Sequence, residues 1–463
     1  MLLASISGIR GTLGEKIGHD LTPHDVRAFV SAFASLIATH AGMKRVVIGR
    51  DARPSGEWIR REVIDVLTSF GIQVIDLGLA TTPTIEFAVP KERAHGGIII
   101  SASHNPIEYN GMKFLNESGE QISASTGKRL LDRYNKSISP LQKAKKKVRV
   151  GNVIVKKGYE MHHIHAICRL PLIKKELIKK ANFTIAVDGI NSVGGVAIPK
   201  LLRALGVRDI VEINTKPTGI FAHMPEPVPQ NLLELGKVVK RTKADCGIAV
   251  DPDADRGVFF DEHGECFGEE YSLVAVADYV LSKKKGTAVS NICSSVALRD
   301  VAISRGGKYF SSPVGEANVV KEVKKRKALI GGEGGSGVGV IYPPLHHGRD
   351  SLMGVALFLS LLAETKEKVS EVRARLPVYE MAKDKVVFKD QDTMIALMKK
   401  VAKLPTSGLV DTRDGVRIDF GDRWVSLRKS NTEPIIRIYT EARTRELAHG
   451  LVLEWKKKLL SLV

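Results

Sequence analysis

One arrangement recurs along this chain and restricts its fold more than any other feature: a short apolar strand, a polar or glycine-rich turn, a helix, a glycine, and a second strand. The first copy runs through residues 45–48, a helix over 56–70, Gly71 and a strand over 72–77. The second has a strand at 184–187, a glycine-rich turn, a helix ending at Leu205, Gly206 and a strand at 209–213. The third has a strand at 288–292, a helix over 294–304, Gly306-Gly307 and a strand at 309–310. Strand, helix and strand at this spacing form a crossover unit with parallel strands. Three copies predict three related α/β domains with parallel or mixed sheets. A helix precedes the first copy. Thr22 is its expected cap, Pro23 suits its first turn and Asp25 completes a capping-box pattern. Val26, Phe29, Val30, Phe33, Leu36 and Ile37 share one face, and Gly42 is the expected stop.

The pattern changes toward the C-terminus. Val416, Ile418 and Phe420 alternate before Gly421-Asp422, and an extended run resumes at Trp424, which predicts a hairpin. A strand at 435–439 and a helix over 444–460 complete a small α+β domain. The expected domains are 1–150, 151–258, 259–375 and 376–463, with linkers near 140–151 and 377–385.

With 463 residues, 43% of them hydrophobic, the chain can bury several cores. It contains no run of 18 apolar residues, so no membrane partner is expected, and its apolar start is too short for a signal peptide. Cys168, Cys246, Cys266 and Cys293 show no paired spacing and read as reduced thiols of a cytoplasmic protein. The net charge of +19 raises the question of a nucleic-acid partner. However, the basic runs at 145–147, 283–285, 324–327 and 456–458 are scattered and lack interleaved aromatics. They read as a solvated surface that also attracts small anions, and no nucleic-acid partner is expected.

Four stretches carry chemistry. Ser101-Ala102-Ser103-His104-Asn105-Pro106 follows the apolar run 97–100. A strand that empties into small polar residues places them at the carboxyl end of a sheet, where α/β ligands sit. Ser103 is there a candidate nucleophile or phosphate carrier; the alternative is a polar turn. Asp251-Pro252-Asp253-Ala254-Asp255-Arg256 offers alternate carboxylates that can converge on one hard cation. Its spacing imitates an EF-hand loop, but Arg256 stands where that loop needs glycine, and a strand precedes it instead of a helix. Gly331-Gly332-Glu333-Gly334-Gly335-Ser336-Gly337 lets backbone approach a ligand closely and lacks the Gly-Lys-Ser/Thr ending of a Walker loop. Glu333 is its one group able to grip sugar hydroxyls. Arg428-Lys429-Ser430-Asn431-Thr432-Glu433-Pro434, with Arg437 beyond, combines arginine forks, hydroxyls and loop amides suited to phosphate. Together the four fit phosphoryl transfer on a phosphorylated sugar.

On these residues the chain resembles the α-D-phosphohexomutase superfamily along essentially its whole length. It is most similar to phosphoglucosamine mutases that begin, as here, Ser5-Ile6-Ser7-Gly8-Ile9-Arg10-Gly11-Thr12. The resemblance implies four domains around one central cleft: three similar α/β domains with mixed sheets and a distinct C-terminal α+β domain. It implies that Ser103 is a phosphoserine, primed by a hexose bisphosphate. Asp251, Asp253 and Asp255 would bind Mg2+ together with that phosphate. Arg10, Lys113 and Arg256 would surround the transferring phosphoryl, and His104 and Asn105 would shape the serine loop. Glu333 and Ser336 would serve the sugar. Arg428, Ser430, Asn431, Thr432 and Arg437 would hold the distal phosphate. The implied reaction interconverts hexose 6-phosphate and hexose 1-phosphate through a bisphosphorylated sugar that turns around in the cleft, with glucosamine 6-phosphate as the leading substrate. Phosphomannomutase/phosphoglucomutase activity is the alternative, and a basic nucleic-acid-binding protein a remote one. A monomer or homodimer is expected, with the last domain as the mobile part.

The chain departs from many relatives at Gly335 and Gly337, where they carry serine and histidine. The histidine is a proposed proton-transfer group. Lys113, with its pKa lowered among other cations, is one substitute, and His346 or His347 are others.

Overall fold

In the computed structural model, residues 2–5, 8–137, 151–334, 339–430 and 434–462 are described. Ser336, Asn431 and Thr432, with Gly335, Gly337 and most of the expected linker at 140–151, lie outside the described residues.

Four sheets follow one another along the chain. The first has seven strands, in the order Leu3–Ser5, Gly8–Thr12, Tyr109–Leu115, Gly97–Ile100, Arg45–Arg50, Gln73–Leu79 and Val153–Val155. The second orders Gly257–Phe260, Cys246–Val250, Thr184–Asp188 and Asp209–Ile213. The third orders Lys308–Ser312, Thr287–Asn291, Ile330–Glu333 and Gly339–Ile341. All three are mixed and share one plan. The two strands of the crossover unit are parallel, a third parallel strand lies beside the first of them, and its hairpin partner runs back antiparallel. The third parallel strand is Gly97–Ile100, Cys246–Val250 or Ile330–Glu333. The loops that leave these strands are the serine, aspartate and glycine-rich stretches. The three are therefore the same hairpin loop, repeated in three units.

The helices form as their residues dictate. Pro23–Ile37 begins on a capping box between Thr22 and Asp25 and buries Val26, Phe29, Val30, Phe33 and Ile37. It ends at Ala38, and Gly42 lies in the turn beyond with φ +69°. Gly194–Leu205 closes on Gly206 at φ +92°, a left-handed position that costs glycine nothing. Ser351–Thr365 is buried along nearly all its length because its sequence is apolar on every face. Its Leu352, Val355, Phe358 and Leu359 join one core with Ile185 and Ile248 of the second sheet and Ala288 and Ile330 of the third.

The fourth sheet is antiparallel, in the order Glu380–Val387, Ile435–Ala442, Trp424–Lys429, Val416–Asp419 and Leu409–Asp411. The hairpin through Gly421 forms as the alternation predicts. The linker expected at 377–385 does not: Glu380–Val387 pairs over its full length with Ile435–Ala442. Only Ala382 and Val386 of that strand are buried, and Lys383, Asp384 and Lys385 between them mask the alternation. Val153–Val155 and Gly257–Phe260 lie on or past the expected boundaries at 150 and 258, yet pair within the preceding sheets. Among the described residues, the side-chain hydrogen bonds and ion pairs that the last unit makes to other units reach the third alone, as in Val314 to Asp414, Arg417 to Ile292 and Val296 to Glu441.

Candidate active site

Ser103 sits where its strand ends, nearly buried, with φ +49°. A left-handed backbone costs an ordinary residue about 1–2 kcal/mol, so something must hold it. Arg53 does. Its side chain is fully buried, and it donates to the carbonyls of Ser103 (2.6 Å), Asn105 (2.6 Å) and Pro106 (2.7 Å). Its Nε reaches Asp51 Oδ2 at 3.1 Å, and the same oxygen accepts from Ser101 Oγ at 2.8 Å. Ser101 Oγ in turn accepts the Ser103 N–H at 2.8 Å. One planar fork thus fixes three carbonyls of the loop. Arg53→Lys keeps the charge but cannot span all three. It is expected to lower kcat about 10- to 100-fold, the scale of an ångström-level misplacement, with Tm falling by only a few degrees. Steady-state kinetics beside a thermal melt checks this.

Ser103 Oγ donates to Asp251 Oδ2 at 2.8 Å, joining the first unit to the second. Asp251, Asp253 and Asp255 are all fully buried, and their oxygens lie within 4.8 Å of one another. Asp253 Oδ1 and Asp255 Oδ1 are buried without a hydrogen-bond partner. Three such carboxylates repel, and burial together with Asp255 and Asp253 raises Asp251 well above the usual carboxylate range. Burial also works to raise Asp253, but Lys113 at 2.9 Å and the Thr82 hydroxyl at 2.7 Å outweigh it and lower this group. Converging carboxylates with two oxygens left without a hydrogen bond fit a hard divalent cation.

Lys113 does not have the lowered pKa that a proton acceptor needs. Burial works to lower it, but Asp253 and Asp255, the latter at 3.4 Å, raise it. His346 is spoken for as well. The Gly348 N–H points into its Nδ1 at 2.9 Å, so its Nε2 is the donor to Asp350, 3.2 Å away. His347 pairs with Glu120. His104 is pushed down to about 3 by burial and by Arg256 and Arg10, so it is neutral beside Ser103. Arg10 is itself lowered by burial and by Arg256, a second guanidinium near it. The Arg256 backbone N–H donates to Asp251 Oδ1 at 3.2 Å. Asn105 turns the loop, its N–H bonding Ala102 O at 3.1 Å.

Glu333 ends its strand with both oxygens engaged. Oε1 accepts from Asn291 at 3.1 Å and from the Gly315 N–H, and Oε2 accepts from Arg349 at 3.3 Å. In the last sheet Arg428 lies directly opposite Arg437, and Arg437 directly opposite Lys385. Directly opposed residues share a face, so three cations line up across three strands. Asp414 at 3.0 Å answers Arg428, and Ser430 is buried at the strand's end. Like charges so aligned are destabilising unless an anion joins them.

Several residues around these groups carried no expectation: Asp51, Arg53, Thr82, Glu86, Asn291, Glu316 and Arg349; Lys385 was expected only as the end of a linker. Asp51 and Arg53 follow the strand Arg45–Arg50, so the strand-end rule that singled out Ser103 would have found them. Glu86 is buried with neither carboxylate oxygen hydrogen-bonded, and burial and Glu316 raise it well above its usual range. A cavity of about 770 Å³ lined by Lys180, Lys243, Lys366 and Leu362 contains none of the site residues.

Four family profiles match the chain in order. They are described as phosphoglucomutase/phosphomannomutase α/β/α domains I (residues 2–140), II (161–264) and III (269–379) and the C-terminal domain (364–457). A phosphoglucomutase/phosphomannomutase of Thermococcus kodakarensis is 37% identical, covering 98% of this chain and 97% of its own. A phosphoglucosamine/phosphogalactosamine mutase of Sulfurisphaera tokodaii is 33% identical, covering 98% of each. A crystal structure of a putative phosphomannomutase from Thermus thermophilus superposes with a TM-score of 0.82 at 26% identity, over 99% of both chains.

Proposed function

Because the chain belongs to the phosphoglucomutase/phosphomannomutase family, we propose that this phosphohexomutase acts on glucosamine 6-phosphate, with Ser103 as a phosphoserine and Mg2+ at the three aspartates. The observation that carries the reading is the 2.8 Å bond from Ser103 Oγ to Asp251, which sets the serine against three carboxylates able to hold a cation. Asp251, Asp253 and Asp255 would hold the Mg2+, which when bound neutralises charge on the transferring phosphoryl.

The chain's own residues do the rest. Arg10 and Arg256 draw the phosphoryl oxygens, and Arg53 keeps Ser103 aimed. The sugar hydroxyl oxygen bonds to phosphorus as the bond to Ser103 Oγ breaks, giving a bisphosphorylated sugar. The hydroxyl proton leaves to a base in the cleft. After the sugar turns around, Ser103 Oγ takes its other phosphoryl group as the bond from that phosphorus to the sugar oxygen breaks, and the freed sugar oxygen takes a proton back from the base. Lys385, Arg437 and Arg428 form a row that takes either phosphate at the distal end. Among the described residues, the side-chain hydrogen bonds and ion pairs of the last unit run to the third unit, which suits it to loosening as one piece during that turn.

The likeness to relatives named phosphoglucosamine mutase, at 33% and 34% identity, supports the amino sugar. The 37% identity with a phosphoglucomutase/phosphomannomutase is the observation that favours the second reading, glucose and mannose phosphates. A panel of glucosamine, glucose, mannose and N-acetylglucosamine 6-phosphates, assayed with Mg2+ and a bisphosphate primer, separates them. The expected kcat/KM for glucosamine 6-phosphate exceeds the others about tenfold or more, since a site built to pair a polar substituent rejects analogues lacking it. The reverse order establishes the second reading, and isomerisation of none rejects both.

A further inference from the structure

Arg349 is buried, and its guanidinium touches three acids from three segments. Nη2 donates to Asp255 Oδ2 in the aspartate loop at 2.6 Å, Nη1 to Glu333 Oε2 in the glycine-rich loop at 3.3 Å, and Nε to Glu316 Oε2 at 3.2 Å. A guanidinium is a rigid plane, so its donors cannot be re-aimed one at a time. A shift of Asp255 is passed to Glu333 through that plane, or else one bond breaks.

The surroundings leave the plane little freedom. The Arg349 N–H donates to Glu316 Oε1 at 3.2 Å. The next residue, Asp350, caps the buried helix Ser351–Thr365 through the Met353 N–H and accepts from His163 of the second unit at 3.0 Å. Ser351 Oγ donates to the Ala254 carbonyl, inside the aspartate loop, at 2.6 Å. Gly339 faces the arginine stem so closely that a Cβ there would lie 2.4 Å from Arg349 Cδ. Glu333 is clamped on its other side by Asn291 and Gly315. The result is a continuous link between the cation site and the sugar site.

We infer that Arg349 is a positioning residue that couples cation binding at Asp255 to sugar binding at Glu333. The inference rests on the phosphohexomutase reading of the two loops. Without the cation, Arg349 answers the charge of Asp255. A divalent ion at the aspartates takes over that charge, and the guanidinium then holds Glu333 and Glu316 more firmly in the geometry that meets the sugar. Mg2+ and the sugar phosphate should therefore strengthen each other's binding, by a factor typical of coupled sites, about 5- to 100-fold.

Calorimetric titration of enzyme lacking phosphate on Ser103 tests this without turnover. Glucosamine 6-phosphate is titrated with Mg2+ and with chelator, for the wild type, Arg349→Gln, Arg349→Lys and Glu333→Gln. The expected result is a Mg2+-dependent gain in wild-type affinity that shrinks at least threefold in both Arg349 variants and in Glu333→Gln. Lysine should fail to rescue because it cannot hold two acids in one plane. Should Arg349→Gln not fold, the lysine and Glu333 variants carry the test. Equal gains in wild type and variants, or affinity lost equally with and without Mg2+, would overturn the coupling while leaving the substrate reading intact. A wild type that binds the sugar phosphate under neither condition would reject the substrate reading, and the inference with it.

Discussion

Ser103→Ala should lose roughly 10⁴- to 10⁶-fold in kcat, the scale on which removal of a covalent nucleophile is felt, while the fold barely changes. The structure separates the two effects. The bonds that shape the serine loop run to its backbone: Ser103 N–H to Ser101 Oγ, and the carbonyls of Ser103, Asn105 and Pro106 to Arg53. All survive the substitution. Alanine accepts the left-handed backbone at about the cost serine does. What goes is one hydrogen bond to Asp251, about 1–2 kcal/mol. Mass spectrometry after incubation with glucose 1,6-bisphosphate should show one added phosphate on the wild type and none on the variant. Bisphosphate should restore dephosphorylated wild type and never the variant. Turnover above about a hundredth of wild type in Ser103→Ala would remove the serine from the reaction.

Chemistry carried within one loop is legible in the sequence; chemistry assembled between loops is not. Ser103 and the three aspartates are legible because a strand that ends in small or acidic residues announces its loop locally. Arg53 shows by its place after a strand, but not that it holds Ser103, 50 residues on; Arg349 does not show at all, since Asp255 lies 94 residues away and only the fold brings the two together. The repeat shows in its crossover helices, whose glycine stops are conspicuous. Its more telling half, the hairpin that carries each loop, escapes notice because Gly257–Phe260 and Gly339–Ile341 are too short to show alternation. The strand Glu380–Val387 reads as a linker because its charges face outward, and Lys385 in the cationic row is lost with it. The proton-transfer role offered to Lys113 assumes cationic neighbours; the carboxylates of Asp253 and Asp255 dominate instead.

The second large effect is a reversal with pH. In the metal-free protein Asp251 is raised by burial, Asp255 and Asp253. Its folded form therefore holds a proton that an unfolded aspartate, with a pKa near 3.9, has released. The folded state binds more protons, so stability falls as pH rises. This contribution is complete below about pH 4 and is lost as pH climbs through the raised value, by at most about 1.4 kcal/mol per pH unit. Asp253 is lowered, so its contribution has the opposite sign and is lost only in acid, below the ordinary carboxylate range. Glu86 and Glu270, the latter pushed up to about 7 by burial, slope the same way as Asp251, so the informative quantity is the difference between wild type and Asp251→Asn. The substituted amide keeps an oxygen to accept from Ser103 but carries no charge to titrate. The metal-free wild type should lose Tm from pH 5 to pH 8 more steeply than the variant. Mg2+ should restore the wild type most at pH 8, where it does not compete with a proton, in proportion to the logarithm of its concentration over Kd. The variant should gain little from Mg2+ and retain about a thousandth of wild-type kcat or less, although its metal-free form at pH 8 melts at or above the wild-type temperature. Melts at three pH values, with chelator and with Mg2+, decide it. Parallel slopes in the two proteins would mean that Asp251 is already ionised, and equal Mg2+ gains that the ion sits elsewhere.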